Sequence, residues 1–354
     1  MSEHVSVMRF PRAVQILVAA AAAIIVVTGM KEAAPILSSF LMALVITLAL
    51  APIPSRLMRK GVPAWLALVL TILLALAFIV ALVLFLAAAL VQFANAIPAY
   101  QDSFATVITQ IQDTAANLGV NIVEIDVTQF LDAGKITAFA AAMVAGLLDL
   151  LSDTSLLLLL ILFMLIDTLG FSEKFEAALG SESSVMKGWA LFAVDTRQYL
   201  IITAWTGALL GIVNAIVLWI LGVDFPILWG VLAFLFSFIP NIGFMLSMIP
   251  PTLLALLEFG WTKALIVVAA YIIINAGVDN VIKPKVIGDD LDISVATTFV
   301  SLVFWGWVLG PLGAILAVPL TLLVKHVLLG PGEDSRWLAA MMGQKARPAE
   351  EPGG

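Results

Sequence analysis

Residues 226–258 have the sequence PILWGVLAFLFSFIPNIGFMLSMIPPTLLALLE, which is apolar almost throughout but is interrupted near its middle by PNIG. The first arm, Pro226–Ile239, has only 14 residues, whereas a helix that crosses the hydrocarbon core of a bilayer needs about 20. Residues 294–329 repeat the pattern, with GPLG at 310–313 between two apolar arms. Each pair is either two proline-kinked full spans or a re-entrant hairpin, and both alternatives return the chain to its starting side.

Interrupted helices of this kind have a known place in membrane proteins. Irregular backbone at membrane depth is tolerated only where it is buried in protein or lines a wet cavity. Secondary transporters commonly bind substrates and ions at broken helices near the bilayer midplane. The two pairs therefore favour a transporter, and the alternative is that both have packing roles only.

The composition is that of a membrane protein. Hydrophobic residues make up 62% of the chain and charged residues 12%, against about 45–50% and about 25% in soluble domains. The absence of Cys excludes disulfides, thiolate catalysis and Cys-ligated metal. The two histidines, His4 and His326, lie near opposite ends, and there is no P-loop, H-E-x-x-H or G-x-S-x-G pattern. We therefore expect no catalytic residue, no metal site and no cofactor, and we predict that the protein is not an enzyme. The net charge of −7 argues against nucleic acid as a partner.

The apolar runs and the basic loops give a topology. Six runs are predicted as full transmembrane helices, at about residues 13–30, 34–51, 64–91, 154–169, 200–221 and 261–283. With the two broken pairs, the chain has about eight apolar membrane segments. Arg56, Arg59 and Lys60 place the loop after the second run on the cytoplasmic side, which puts both termini there too. The sequence thus predicts an all-α polytopic protein of the bacterial cytoplasmic (inner) membrane.

The chain divides into five parts. Residues 1–91 hold the first three transmembrane helices, and residues 92–153 form an acidic, amphipathic helical insertion on the extracytoplasmic side. Residues 154–199 comprise the fourth helix and a cytoplasmic amphipathic segment. Residues 200–329 form the transport core with both broken pairs, and residues 330–354 form a disordered cytoplasmic tail. The long third span and the outer helices are compatible with a homo-oligomer.

Two helix faces carry polar residues inside apolar runs. Thr203, Gly207, Gly211 and Asn214 share one face of the fifth span, and their small size favours close helix packing over substrate contact. The second face, on the sixth span, holds Asn275, Asp279 and Lys283 at i, i+4 and i+8 with Asn280 beside them, and it ends at Pro284. At a rise of about 1.5 Å per residue, only Asn275 of these is clearly within the bilayer. The charged residues are either an ion-paired helix end or a cytoplasmic gate.

Three motifs in the C-terminal half carry a family resemblance. They are FSFIPNIG at 236–243, NAGVDNVIKPKVIG at 275–288, and SLVFWGWVLGPLGAILAVPLTLLVKHV at 301–327. In this order they resemble the signature of the autoinducer-2 exporter (AI-2E) family of bacterial permeases. The matching positions are Ile239, Pro240, Ile242 and Gly243; Asp279, Asn280, Pro284 and Gly288; and Trp305, Gly306, Trp307, Gly310, Gly313, Ala317, Val318 and Pro319. Asn241 departs from the family pattern, because members often carry an aromatic residue there.

The resemblance implies transport but leaves its substrate open. Some members export autoinducer-2, a small polar furanosyl signal of quorum sensing, and others resemble sodium or lithium/proton antiporters. The first hypothesis is therefore a secondary permease for a small polar organic solute, and the second is a monovalent cation/proton antiporter that uses Asp279 or, less favourably, Asp167. A non-transporting membrane scaffold is the third.

The predicted site follows from these hypotheses. Apart from the lipid bilayer, the partner is a small polar solute or a monovalent cation. The residues predicted to line the substrate or ion pathway are Asn214, Pro240, Asn241, Gly243, Asn275, Asp279, Asn280, Lys283, Gly310 and Gly313. The residues predicted as structural hinges are Pro284, Gly288 and Pro319.

Overall fold

The structure is a computed structural model. It describes residues 11–100, 157–168, 183–283 and 294–329, together with isolated positions between residues 103 and 146 and Met342. Every regular element among these residues is helical, which confirms the predicted all-α class. Most of the predicted insertion and nearly all of the tail lie outside the described residues, as do the predicted hinges Pro284 and Gly288.

The N-terminal helices form a hairpin followed by one long helix. α1 (Arg12–Glu32) and α2 (Ala34–Leu50) are joined by the single residue Ala33, and α3 (Pro52–Arg59) follows α2 directly. Pro35 and Pro52 lie in the first turns of their helices, where a missing N–H costs no hydrogen bond. α4 (Ala64–Ala96) has 33 residues and ends in a 3-10 turn, Ile97–Tyr100. At about 50 Å it is longer than the span predicted for residues 64–91.

The next described helices are α5 (Leu157–Thr168) and α6 (Ser184–Leu221). α6 has 38 residues and ends at Gly222, whose φ of 78° gives the left-handed conformation that commonly closes helices. The sequence separates a cytoplasmic segment up to residue 199 from a span that begins at residue 200. The structure instead joins both in one helix, because no proline interrupts residues 184–221.

Both interruptions predicted from the sequence are present. α7 (Pro226–Phe236) and α8 (Gly243–Phe259) flank the PNIG turn, in which Asn241 has a φ of 62°. α9 (Trp261–Gly277) follows and is extended by π-helical residues Val278–Ile282.

The second interrupted segment is divided twice. α10 (Val295–Leu309) ends at Gly310, whose φ is 71°, and the short α11 (Pro311–Ile315) ends at Leu316. α12 (Ala317–Leu323) then continues as π-helical residues Val324–Leu329. Pro319 lies in the first turn of α12, where proline is tolerated, so it belongs to a helix start and does not interrupt a helix.

α6 is the central helix of the described bundle. It packs against α2, α7, α9 and α12. Its small residues let α7 approach closely. A Cβ added at Gly211 would lie 2.6 Å from the carbonyl oxygen of Gly230, and a Cβ added at Gly230 would lie 2.6 Å from the carbonyl oxygen of Gly211. The predicted packing face is therefore real: Thr203, Gly207, Gly211 and Asn214 are all buried.

The outer surfaces are suited to lipid. Large apolar side chains stay exposed on α1 and α4, among them Leu17, Ile25, Leu74 and Phe78. Four described helices are long and apolar enough to cross a membrane, namely Ala34–Arg59, Ala64–Tyr100, Ser184–Leu221 and Trp261–Ile282. The other apolar helices are shorter. The chain is thus a polytopic membrane protein, and the count of six full spans stays a prediction.

We expect Gly211→Ala to lower the melting temperature of the detergent-solubilised protein. The new methyl group would press on a backbone carbonyl of α7, which cannot rotate away, and overpacking of this kind costs about 1–3 kcal/mol. Gly29→Ala in α1 is the matched control, because a Cβ there meets no atom within 4 Å. Equal melting temperatures for the two variants would contradict the close contact of α6 and α7.

Candidate functional site

The two interrupted segments meet inside the bundle. Ile239, in the first interruption, packs against a buried cluster that contains Leu309 and Leu316, which flank the second. Both turns depend on glycine. A Cβ at Gly243 would collide with the carbonyl oxygen of Phe236, and one at Gly313 would collide with that of Trp305.

The first turn does not direct its polar side chain into this interior. The Asn241 side chain is exposed, and Pro240 is half-buried. Asparagine tolerates a positive φ better than most residues, so the shape of the turn accounts for an asparagine at position 241. Asn241 remains a predicted pathway residue, but its described surroundings do not join it to the buried polar groups that follow.

A group of buried polar atoms without partners lies on α6, α8 and α9. Asn214 on α6 is 1% exposed, and neither its Oδ1 nor its Nδ2 has a hydrogen-bond partner. Tyr271 on α9 is fully buried at 0% exposure, and its hydroxyl also lacks a partner. The buried hydroxyl of Thr252 on α8 completes the group. We call Asn214, Thr252 and Tyr271 the polar layer.

The helix register places these three residues at one depth. α6 and α9 are antiparallel, because Lys263 near the start of α9 donates to the carbonyl oxygen of Leu221 at the end of α6, at 3.0 Å. Asn214 precedes Leu221 by seven residues, Thr252 precedes the end of α8 by seven, and Tyr271 follows the start of α9 by ten. At a rise of about 1.5 Å per residue, all three lie about 10–15 Å from this end of the bundle.

That depth is close to the middle of a hydrocarbon core about 30 Å thick. The helices also share one apolar core there, in which Tyr271 is clustered with buried residues of α6, α8 and α9, namely Leu218, Leu254, Ala255 and Val267. A buried polar group left unpaired costs about 1–3 kcal/mol. A buried water or a solute could supply the missing hydrogen bonds of these side chains.

Among the other buried polar groups, the hydroxyls of Thr47 and Thr196 and the Oε2 atom of Glu258 also lack partners, whereas Asn275 and Thr321 are satisfied internally. The side-chain amide of Asn275 donates to the carbonyl oxygen of Tyr271 at 2.8 Å, within its own helix. At the second interruption, Thr321 Oγ1 accepts from the indole of Trp305 at 3.3 Å, lies 2.6 Å from the hydroxyl of Ser301, and donates to the carbonyl oxygen of Ala317 at 2.7 Å. These contacts hold helices together and leave no free group for a solute.

The charged residues predicted on α9 form an exposed ion pair. Lys283 Nζ lies 2.5 Å from Asp279 Oδ1, and the two side chains are 37% and 49% exposed. Asn280 is also exposed, and it donates to the carbonyl oxygen of Ala276 at 2.9 Å. Exposed pairs of this kind contribute little to stability. The gate hypothesis for these residues stays a prediction, because the residues that follow Lys283, up to residue 293, lie outside the described chain.

A second acidic group lies at the end of the bundle where α4, α6 and α8 finish. The hydroxyl of Tyr100 is 2.7 Å from Asp224 Oδ2 and 2.9 Å from Glu258 Oε1. A phenol has one hydrogen and can direct it at one acceptor. The hydroxyl therefore holds the two carboxyl groups close together. We call Tyr100, Asp224 and Glu258 the outer acidic group.

The sequence analysis did not select Thr252, Tyr271 or the outer acidic group. A signal for Tyr271 was available, since a tyrosine in the middle of an apolar span needs a partner for its hydroxyl. Tyr271 also precedes Asn275 by four residues, on the same helix face. Nothing local marks Tyr100 and Glu258 as neighbours, because 158 residues separate them.

Comparison with known proteins gives a consistent result. The sequence model of the family described as AI-2E family transporter matches residues 15–329. AI-2 transport protein TqsA of Escherichia coli (strain K12) is 31% identical over 305 residues, which cover 86% of this chain and 89% of that protein. Putative transport protein YhhT of the same strain is 29% identical over 329 residues, which cover 90% and 94%. A putative transport protein of Haemophilus influenzae is 31% identical over 319 residues, which cover 87% and 90%.

We expect Tyr100→Phe and Tyr271→Phe to have different effects on stability. Tyr100→Phe removes the donor shared by two carboxyl groups, which should cost about 1–3 kcal/mol. Tyr271→Phe removes a buried hydroxyl that has no partner, so the melting temperature should stay equal or rise. The measurement is thermal unfolding in detergent. A loss of stability in Tyr271→Phe as large as that in Tyr100→Phe would contradict the assignment of an unpaired hydroxyl.

Proposed function

The chain belongs to the AI-2E transporter family, and from that premise we propose that it is a secondary membrane permease that exports a small polar organic solute such as autoinducer-2. The observation that carries the proposal is the polar layer, an uncharged group of unpaired hydrogen-bonding atoms at the middle of the bundle. The meeting of the two interrupted segments supports it further, because secondary transporters build their sites beside broken helices.

The choice of solute draws on the relatives. TqsA is named as an AI-2 transport protein and is 31% identical to this chain. The sequence contains no P-loop motif, so export would be driven by a gradient or by a separate ATPase.

The orientation that we propose has both termini in the cytoplasm and the protein in the bacterial inner membrane. Arg56, Arg59 and Lys60 cluster at the end of α3, and short basic loops stay cytoplasmic. In this orientation the outer acidic group faces the extracytoplasmic side, and the insertion that follows Tyr100 lies on that side as well.

The transport proposal is tested in liposomes that contain the purified protein. Labelled autoinducer-2 should cross these membranes several-fold faster than it crosses empty liposomes, because the solute can replace water at the polar layer. Equal rates for the two preparations would overturn the proposed substrate.

A second candidate function, monovalent cation/proton antiport, is favoured by the outer acidic group. Antiport needs a carboxyl group that exchanges a proton for a cation, and Asp279 is a poor choice because it is exposed and paired with Lys283. The outer acidic group brings two carboxyl groups to the same phenol hydroxyl at one end of the bundle, where a proton and a cation could exchange. In the same liposomes, a sodium gradient should then drive proton flux that Glu258→Gln abolishes and Asp279→Asn leaves unchanged. Absence of flux in the wild type would remove this candidate.

The orientation is tested by labelling single introduced cysteines in intact cells. Because the sequence contains no Cys, any labelling reports the introduced residue alone. Arg59→Cys should react with a membrane-impermeant maleimide only after the cells are opened. Thr109→Cys, which is exposed in the described part of the insertion, should react from outside. The reverse pattern would invert the proposed topology.

A further inference from the structure

The short helix α3 carries positive charges that the proposed transport function does not use. Arg56 and Arg59 of the helix and Lys60 at its C-terminal cap are spaced i, i+3 and i+4, so they share one side, and all three are exposed. We call these three residues the basic face. The other side of α3 is apolar, with Pro54 buried and Leu57 half-buried. α3 is therefore an amphipathic helix that packs against α4 and exposes its charges.

The basic face has no partner within the described part of the chain. No described residue forms an ion pair or a hydrogen bond with the side chain of Arg56, Arg59 or Lys60. The exposed Lys283, by contrast, pairs with Asp279. Like charges three or four residues apart on a helix destabilise it slightly. An anionic ligand on the basic face would remove that repulsion.

A tight turn connects the basic face to the start of α4. Gly61 has a φ of 89°, and its N–H donates to the carbonyl oxygen of Met58 at 2.9 Å. The N–H of Val62 donates to the carbonyl oxygen of Leu57 at 3.2 Å, which completes a common form of helix end. α4 begins two residues later, at Ala64. The charges therefore lie at the end of a long helix whose surface is suited to lipid.

The first turns of α4 expose an apolar stripe. Trp65, Val69 and Leu73 are spaced i, i+4 and i+8 on one side of the helix, and they are 67%, 42% and 54% exposed. The stripe is about 12 Å long at the helical rise, which is close to half of a hydrocarbon core about 30 Å thick. Tryptophan is enriched where the hydrocarbon meets the headgroups. Charges, tryptophan and apolar stripe thus follow one another in the order of the parts of a phospholipid.

We propose that the basic face binds the headgroup of an anionic phospholipid, whose acyl chains lie against the exposed start of α4. Arginine pairs with phosphate oxygens through two parallel N–H bonds, and lysine adds a point charge. In the proposed orientation this end of the bundle meets the cytoplasmic leaflet, whose anionic lipids attract basic segments. The chain has a net charge of −7, so the attraction has to be local. The proposal does not depend on which solute the protein carries.

The test measures stabilisation of the purified protein by added lipid in a neutral detergent. Dioleoyl phosphatidylglycerol should raise the melting temperature in a saturable way, and dioleoyl phosphatidylcholine should raise it less, because it has the same acyl chains but no net charge. Glycerol 3-phosphate, which has the phosphate without the chains, should have no effect at equal concentration. High salt should weaken the effect of phosphatidylglycerol, since exposed charges are screened.

Single substitutions assign the effect to the basic face. Arg56→Gln and Arg59→Gln should each raise the phosphatidylglycerol concentration for half-maximal stabilisation about fivefold, which corresponds to about 1 kcal/mol. Both side chains are exposed, so the melting temperature without lipid should stay near that of the wild type. Lys31→Gln is the control of equal charge, because Lys31 is exposed at the far end of α2 and lies 4.5 Å from the ring centroid of Trp307. It should leave the response to lipid unchanged.

Four results would overturn the proposal. Equal stabilisation by the two lipids would show that the protein does not select an anionic headgroup. Stabilisation by glycerol 3-phosphate alone would make this a site for free phosphate. An unchanged response in both arginine variants would leave the basic face with a role in orientation only. An equal loss in Lys31→Gln would assign the attraction to net charge and not to α3.

Discussion

The close contact between α6 and α7 sets the geometry of the whole interior. Gly211 and Gly230 place the backbones so near that a methyl group on either helix would meet a carbonyl oxygen at 2.6 Å. Without a strong hydrophobic force between helices in lipid, such packing of small residues is what holds a membrane bundle together. α7 ends at Phe236, and in the turn that follows Ile239 packs against the second interrupted segment.

Hydrogen bonding divides the buried polar residues into two kinds. Ser301, Trp305 and Thr321 bond to one another at the second interruption, and Asn275 bonds within α9. Each of these residues strengthens the structure that surrounds it. Asn214, Thr252 and Tyr271 have no such bonds, and Tyr271 lies within a buried apolar cluster. The difference separates residues that support the scaffold from the polar layer, whose contact with a solute is our proposal.

The charged groups described above are placed at the ends of the bundle. Asp279 pairs with Lys283, Asp195 lies 2.8 Å from His326, and the side chain of Arg197 donates to the carbonyl oxygen of Leu48. Asp224, Glu258 and Lys263 occupy the opposite end. The middle of the bundle is left to neutral polar groups, as expected where burial of an unpaired charge is prohibitive.

The sequence by itself determined the class of the molecule and the places where its helices break. Long uncharged apolar runs indicate a membrane protein, and PNIG and GPLG favour a break in the helix, because proline lacks an N–H and glycine favours conformations outside the helix. The sequence also identified Asn214 as a buried polar residue.

Only the tertiary structure decided which polar residues lack partners. Asn214 and Asn275 look alike in sequence, as amides inside apolar helices, yet one is unpaired and the other bonds to its own backbone. Tyr271 and Thr252 lie at the depth of Asn214 only because α6 and α8 end where α9 begins, although 38 and 57 residues separate these positions from Asn214 in the chain. Helical periodicity shows which face of a helix a residue occupies, but hydrogen-bond satisfaction depends on neighbours that are distant in the chain.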